Sequence, residues 1–376
     1  MQIYATGLGA VSPASPSGFP APLAPLSRTT AAVEISIAGR KIGPEERPFV
    51  IAEIGINHEG DFSKALRMID DAAAAGCECV KFQCHIVEDE MIPAAGRIIP
   101  VNAPDSIWDI MVRCSFDEDQ DRELKRHVES HGMIHLSTPF SRAAADRLEK
   151  IGVVAYKIGS GECNNHPLID HIARFRKPVI LSTGMNDIAS IRPSVEILRR
   201  HAVPFALMHC TSMYPTPYDK VRLGALAMLQ NEFPGVPIGL SDHTIDNFAC
   251  YGAVALGASL LERHFTSDKN WPGPDIAISM DPADLAELVK GSAAIHAARG
   301  GEKTILPEEK ATIDFAYATV VTIAPIRAGD IFTRDNLWVK RPGTGPIPAR
   351  DFESILGKRA KIDLAPDVHL LIEEIT

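Results

Sequence analysis

The chain has 376 residues, 45 % hydrophobic and 23 % charged, an ordinary globular composition with room for one barrel-sized domain and a small second one. Its formal net charge of −10 leaves no basic footprint for nucleic acid or an anionic membrane, so an anionic small molecule has to be met by locally placed lysines or arginines. No apolar run reaches the roughly 18 residues of a membrane-spanning helix, and seven cysteines without a regular framework read as intracellular thiols of a cytoplasmic protein.

Residues 1–32, with Pro13, Pro16, Pro20, Pro22 and Pro25 among Ala, Ser and Gly, read as a disordered leader. Val33 to Ile42 alternates and predicts a short hairpin covering one end of the larger domain C-terminal to it. From Phe49 onward, apolar runs over 49–52, 79–82, 134–137, 155–158, 179–182 and 205–208, and those starting at Ile238 and Ser259, predict eight strands. Helical spacing of apolar residues over 62–76, 118–132, 142–151, 167–175, 188–200, 225–233, 247–256 and 283–299 separates and follows them. Eight strand–helix repeats predict an α/β fold, a (β/α)8 TIM barrel over 33–299. A doubly wound sheet normally has fewer strands and a Gly-rich phosphate turn after the first, and Ile56-Asn57-His58-Glu59-Gly60 is not such a turn.

One interval is out of scale. Between Gln83 and Met133 there is room for a long excursion, of the kind that forms a lid or a substrate wall on a barrel's active face. After Gly300 the pattern changes: 300–317 reads as a linker, and 318–376 as a compact β-rich module that carries Lys340-Arg341-Pro342-Gly343 on a turn.

In a barrel the chemistry sits at the C-terminal ends of the strands, and here nearly every strand ends in a reactive or hydrogen-bonding group. Glu53 ends the first; Lys81 and Gln83 share a face of the second. Thr138, Lys157, Ser160, Glu162, Ser182, Ser212, Tyr214, Ser241, His243 and His264 come from the others. Lys81 and Lys157 interrupt apolar strands, and a buried ammonium is costly without a counter-charge. Either each reaches water at its strand end or pairs with Glu53 or Glu162, or the two cradle an anionic phosphate and carboxylate with the neighbouring hydroxyls.

Residues two apart share a face of a strand, so Ser241 sits with His243 and Glu262 with His264, and parallel neighbours could bring the two imidazoles to one metal. Two histidines with a substrate oxygen and water suit Mn2+ or Mg2+, and the same pair with Glu53 is also the donor set of a two-histidine, one-carboxylate iron site.

Several segments together resemble the bacterial N-acetylneuraminate (sialic acid) synthases: Ala52-Glu53-Ile54-Gly55-Ile56-Asn57-His58-Glu59-Gly60, Lys157-Ile158-Gly159-Ser160-Gly161-Glu162, Leu181-Ser182-Thr183-Gly184-Met185, His209-Cys210-Thr211-Ser212-Met213-Tyr214-Pro215-Thr216-Pro217, Gly239-Leu240-Ser241-Asp242-His243-Thr244 and Pro272-Gly273-Pro274-Asp275. Ile326-Arg327-Ala328-Gly329-Asp330 and Asn336-Leu337-Trp338-Val339-Lys340-Arg341-Pro342-Gly343 are similar to that family's antifreeze-like (SAF) domain. The resemblance implies condensation of phosphoenolpyruvate with N-acetylmannosamine and water to give N-acetylneuraminate and phosphate. Relatives of that family use N-acetylmannosamine 6-phosphate or a 2,4-diacetamido-6-deoxyhexose instead. It also implies roles: His243 and His264 for Mn2+, with Glu53 beside it; Lys81, Thr138, Lys157, Ser160, Ser182, Ser212 and Ser241 for phosphoenolpyruvate; Gln83, Tyr214, Asp275 and Arg341 for the sugar. The family's homodimer swaps its SAF domains, which would bring Arg341 to the partner's barrel.

Overall fold

The computed structural model describes residues 35–376, together with one short antiparallel pair, Val11–Ser12 with Arg28–Thr29. The rest of the expected leader, 1–32, lies outside the described residues. The chain divides into two compact units, Met1–Gly300 and Gly301–Thr376.

In the first unit eight parallel strands form one sheet: β1 (Phe49–Gly55), β2 (Cys79–Cys84), β3 (Ile134–Pro139), β4 (Tyr156–Ile158), β5 (Val179–Ser182), β6 (Phe205–Cys210), β7 (Ile238–Asp242) and β8 (Leu260–His264). Their order is β3-β2-β1-β8-β7-β6-β5-β4. First and last strands of the chain therefore pair, β8 with β1, and β3 lies beside β4, which is the near-closed barrel the eight repeats predict. β1, β5, β6, β7 and β8 are buried along their whole length. Covering on both faces explains why they read as continuous apolar runs rather than alternating ones.

The barrel helices are α1 (Phe62–Ala74), α2 (Glu118–Ser130), α3 (Arg142–Ile151), α4 (His166–Ala173), α5 (Ile188–Arg200), α6 (Gly224–Glu232), α7 (Phe248–Ala255) and α8 (Pro282–Ala298). Their starts are set locally, because the first amides of a helix lack intrahelical acceptors. Asp61 accepts from the amides of Ser63 and Lys64, Asp117 forms a capping box with Gln120, and Ser141 caps α3.

Two cores result. One fills the space between sheet and helices. The other lies inside the barrel, where Phe49, Ile51, Leu136, Ile180, Met208 and Leu260 meet Ile35, Ile37 and Ile42 of the antiparallel hairpin Ile35–Ile37 and Arg40–Ile42. This hairpin closes the N-terminal end of the barrel, and burying each such side chain contributes about 1.5–3 kcal/mol. The interior is thus apolar at one end, and the polar strand residues gather at the other.

The excursion after β2 contains the helices Val87–Glu90 and Ile107–Cys114 and the 3-10 turn Pro93–Arg97. A small core of Ile56, Ile110 and Cys114 anchors it. In the second unit, β9 (Thr319–Thr322) and β10 (Leu337–Lys340) pair antiparallel over a core including Val320, Phe332, Phe352 and Leu370. The stretch read as a linker holds the turn Pro307–Glu309 and the helix Lys310–Ala316. The Gly343 amide donates to the Asp314 carbonyl at 2.8 Å, which joins that helix to the second unit. All seven cysteines are free and buried. Among the described residues no helix is long and apolar enough to cross a membrane.

Candidate active site

Register brings the strand ends together. His264 lies opposite Glu53, Glu53 opposite Lys81, and Ser241 opposite Glu262. Above them opens a cavity of about 470 Å³. The excursion supplies one wall of it through Glu90, Pro100, Asn102, Ile107, Ile110 and Met111. The Asn102 side-chain amide donates to the Pro274 carbonyl at 3.0 Å, which ties that wall to the segment after β8.

At the floor are four buried charges. Lys81 Nζ lies 2.7 Å from Glu53 Oε2 and 3.8 Å from Glu262 Oε1, and donates to Thr138 Oγ1 at 3.1 Å. Lys157 Nζ lies 3.0 Å from Glu262 Oε1, which also accepts from Ser241 Oγ at 3.3 Å. Two ammoniums against two carboxylates leave the group neutral, which is what allows it to be buried. Burial pushes the Glu53 carboxyl up, against the pull of Lys81 and with help from Glu262. At Glu262 burial is outweighed by Lys157 and Lys81, and its pKa falls to about 2. At Lys81 burial is likewise outweighed by its two carboxylates, which raise it, whereas burial prevails at Lys157 and lowers it.

One expectation needs correcting. Lys81 does pair with Glu53, but Lys157 does not reach Glu162, whose carboxylate takes the Asn165 side chain at 2.5 Å in a turn after β4. The partner of Lys157 is Glu262, a residue absent from the sequence-based set of site residues. Its signal was present, since Glu262 stands two residues before His264 on the same face of β8.

Glu53 is oriented by a chain from the excursion. Gln83 Nε2 donates to Glu53 Oε1 at 2.9 Å, Gln83 Oε1 meets His85 Nε2 at 3.0 Å, and His85 Nδ1 meets Glu90 Oε2 at 2.8 Å. His85 and Glu90 also escaped the sequence reading, because nothing local marks an amide whose direction is fixed by a neighbouring ring.

The hydroxyls form a second arc. Ser160 Oγ donates to Ser182 Oγ at 3.0 Å and accepts from the Gly184 amide at 3.0 Å. A Cβ on Gly184 would stand 2.6 Å from Ser212 Oγ and 2.7 Å from Ser160 Oγ, so only glycine lets this backbone approach both hydroxyls. His209, at the end of β6, contacts the Val221 carbonyl at 2.7 Å instead of the cavity.

His243 and His264 are buried, with ring centroids 5.4 Å apart, and Tyr214 stacks on His243 at 4.1 Å. His243 Nδ1 lies 3.0 Å from the Thr211 carbonyl, and a proton held there leaves Nε2 as the free donor atom. Although burial opposes it, the Cys210 thiol and the Thr211 carbonyl raise His243 to about 9, so a cation must compete with a proton there. His264 is held at about 4, chiefly by burial despite Asp275, with His243 and Lys81 adding to the depression. Among the described residues its buried Nδ1 has no hydrogen-bond partner, and Asp275 Oδ2 lies 3.7 Å from it. Two imidazoles with Asp275 and Glu53 alongside are nitrogen and oxygen donors of the kind a divalent ion takes. The sequence-based residues for phosphoenolpyruvate and sugar all line this cavity apart from Arg341. Arg341 follows β10 in the second unit, with its guanidinium 5.7 Å from the Phe315 ring centroid.

The model of the NeuB family matches residues 68–304, and that of the SAF domain matches residues 317–374. The chain is 34 % identical to the N-acetylneuraminate-9-phosphate synthase of Homo sapiens, across 89 % of this chain and 94 % of that one. It is 34 % identical to the N,N'-diacetyllegionaminic acid synthase of Campylobacter jejuni, across 84 % and 96 %. The crystal structure of N-acetylneuraminic acid (sialic acid) synthetase from Leptospira borgpetersenii in complex with citrate superposes with a TM-score of 0.69 at 32 % identity, covering 76 % of this chain and 97 % of that one.

Proposed function

The chain belongs to the NeuB family and carries a SAF domain at its C-terminal end, and from this we propose that it is a nonulosonate synthase acting on phosphoenolpyruvate and unphosphorylated N-acetylmannosamine. The observation that carries the reading is the buried Glu53–Lys81–Glu262–Lys157 group set beside the His243–His264 pair in one cavity. The reaction brings an anionic phosphate ester and a developing alkoxide a few ångströms apart, and the cavity offers two lysines toward the first and an imidazole pair that would hold a cation for the second.

A divalent ion, Mn2+ or Mg2+, held by His243 and His264 would supply a Lewis acid for the sugar aldehyde. The protein's own groups account for the remainder. Lys81 and Lys157, with Thr138, Ser160, Ser182, Ser212 and Ser241, hold the phosphate and carboxylate of phosphoenolpyruvate. The C2–C3 π electrons form a bond to the aldehyde carbon, whose oxygen gains the pair and then a proton. Water adds to the electron-poor C2 and loses its proton to Glu53, a carboxyl raised by burial and so closer to the working pH of a base. The C2–O bond to phosphate breaks as the new C2 hydroxyl gives its remaining proton to the departing phosphate, leaving a ketone and free phosphate, and Glu53 returns the proton it took to the new hydroxyl of the sugar carbon. Gln83, Tyr214 and Asp275 orient the sugar. In a homodimer with exchanged SAF domains Arg341 adds a contact from the partner.

Charge supports the unphosphorylated sugar over N-acetylmannosamine 6-phosphate. Among the described residues lining the cavity, Lys81 and Lys157 are the only lysines or arginines, and both face carboxylates and the phosphoenolpyruvate side. A second phosphate would meet no further lysine or arginine of this lining. The test is phosphate release from phosphoenolpyruvate with each candidate sugar, with Mn2+ and with a chelator. N-acetylmannosamine is expected to give one phosphate per sugar product, with release lost on chelation and in His264→Ala. Equal or faster release with N-acetylmannosamine 6-phosphate or a 2,4-diacetamido-6-deoxyhexose overturns the substrate, and no release with any of them overturns the reaction.

A further inference from the structure

On the outside of the barrel, α1 and α2 converge on three side chains that the reaction does not use. His127 and His131 are four residues apart, one helical turn, so both imidazoles leave the same face, His131 as the C-cap of α2. Asp70 of α1 meets both: its Oδ1 lies 2.7 Å from His127 Nε2 and 2.8 Å from His131 Nε2. The rings stand 5.1 Å apart at 77°, and the donor atoms of the three residues all lie within 4.8 Å of one another. Their side chains are 31 %, 34 % and 53 % exposed for His127, His131 and Asp70, open to ions from solvent.

The charge pattern separates this cluster from the surface pairs around it. Asp71 is matched by Arg67, and Glu129 by Lys125. Asp170 also takes a histidine, His201, but Arg174 and Arg200 share it. Among the described residues the ion-pair partners of Asp70 are the two imidazoles alone. While both rings are neutral the cluster therefore carries a net negative charge, at the C-terminal end of α2, where the helix dipole itself favours a cation.

We propose that Asp70, His127 and His131 form a second divalent metal site, of the zinc class, that staples α1 to α2. Two imidazole nitrogens and one carboxylate oxygen with an open position are the donor set of a three-ligand zinc site, and paired histidines one turn apart on a helix are a suitable chelate. A metal takes the Nε2 lone pair of each ring, and the ring proton then sits on Nδ1. Imidazole favours Zn2+ over Mg2+ or Ca2+.

The test uses the full-length chain stripped of metal, titrated with Zn2+ by calorimetry and with Co2+ by its visible absorption. In His243→Ala/His264→Ala, which removes the barrel pair, one Zn2+ per chain is expected, with a rise in Tm. Adding His127→Ala or Asp70→Asn should abolish that binding and the Tm rise, while His127→Ala alone leaves turnover unchanged. If the double barrel variant does not fold, the wild-type stoichiometry should fall from two to one in His127→Ala. Zn2+ stoichiometry and Tm shift unaffected by His127→Ala and Asp70→Asn overturn the site, whatever the substrate of the barrel proves to be.

Discussion

Replacing Glu262 by glutamine removes one of two negative charges from a buried group of four and leaves Lys157 and Lys81 facing Glu53 alone. The lost attractions, at 3.0 Å to Lys157 and 3.8 Å to Lys81, come to about 5.5 and about 4.4 kcal/mol at an effective dielectric of about 20. The desolvation of Glu262 and its repulsion from Glu53 disappear with it, so the net loss should approach the roughly 3–5 kcal/mol typical of breaking a buried pair. Over residues 35–300, at about 2.1 cal/mol/K of unfolding entropy each, the total is roughly 0.56 kcal/mol/K, and the Tm should fall by about 5–9 °C. The variant also gains a net positive charge where the reading places phosphoenolpyruvate. Inorganic phosphate or phosphoenolpyruvate should therefore bind Glu262→Gln more tightly than the wild type and return part of the loss. A ligand at about 100 times its Kd contributes roughly 2.7 kcal/mol, which on the same entropy is close to 5 °C. Differential scanning calorimetry with and without the anion reads both effects. A Tm indistinguishable from the wild type would refute the coupled charge group, and an equal anion shift in both proteins would refute the placement of the anion.

Burial holds His58 at about 4 and His135 at about 3. A histidine depressed in the folded state binds its proton preferentially when unfolded, so its stabilisation is full above about pH 6.5 and is lost as pH falls toward the folded value. His135→Leu should accordingly reduce the slope of unfolding free energy against pH by about 1.2 kcal/mol per unit between pH 5 and 6, in urea titrations; an unchanged slope contradicts a buried neutral His135. His85→Phe frees the Gln83 amide to turn away from Glu53, and kcat should drop about 10–100-fold while phosphate binding by calorimetry is retained; an unchanged kcat removes the positioning role. Arg341→Ala should raise the KM for the sugar more than that for phosphoenolpyruvate, and a heterodimer of one Glu53→Gln chain with one Arg341→Ala chain should recover activity if the contact crosses subunits. No recovery in a verified heterodimer places Arg341 in its own chain's site.

The count of barrel strands and of the helices that cover them, the hairpin and the position of the polar strand ends were legible in the sequence, because each depends on interactions among residues a few positions apart. Apolar runs mark buried parallel strands, and helical spacing marks their covers. The types of group at the site were legible as well, since a lysine within Val80 and Phe82, or between Tyr156 and Ile158, has little reason to be there unless charge is needed.

Partnership was not legible. Lys157 and Glu262 are 105 residues apart, and periodicity says nothing about which strand ends face each other; closure of the sheet through β8 and β1 decided it, and set Glu262 in place of Glu162. The same holds for the His85–Gln83–Glu53 chain, where ring and amide orientations depend on packing, and for Asp70 with His127 and His131, which only the adjacency of α1 and α2 brings within reach. Sequence determined that a barrel would gather charge and histidine at one end. Tertiary structure alone decided which charge neutralises which, because Coulomb energy depends on distances of a few ångströms that the chain order does not contain.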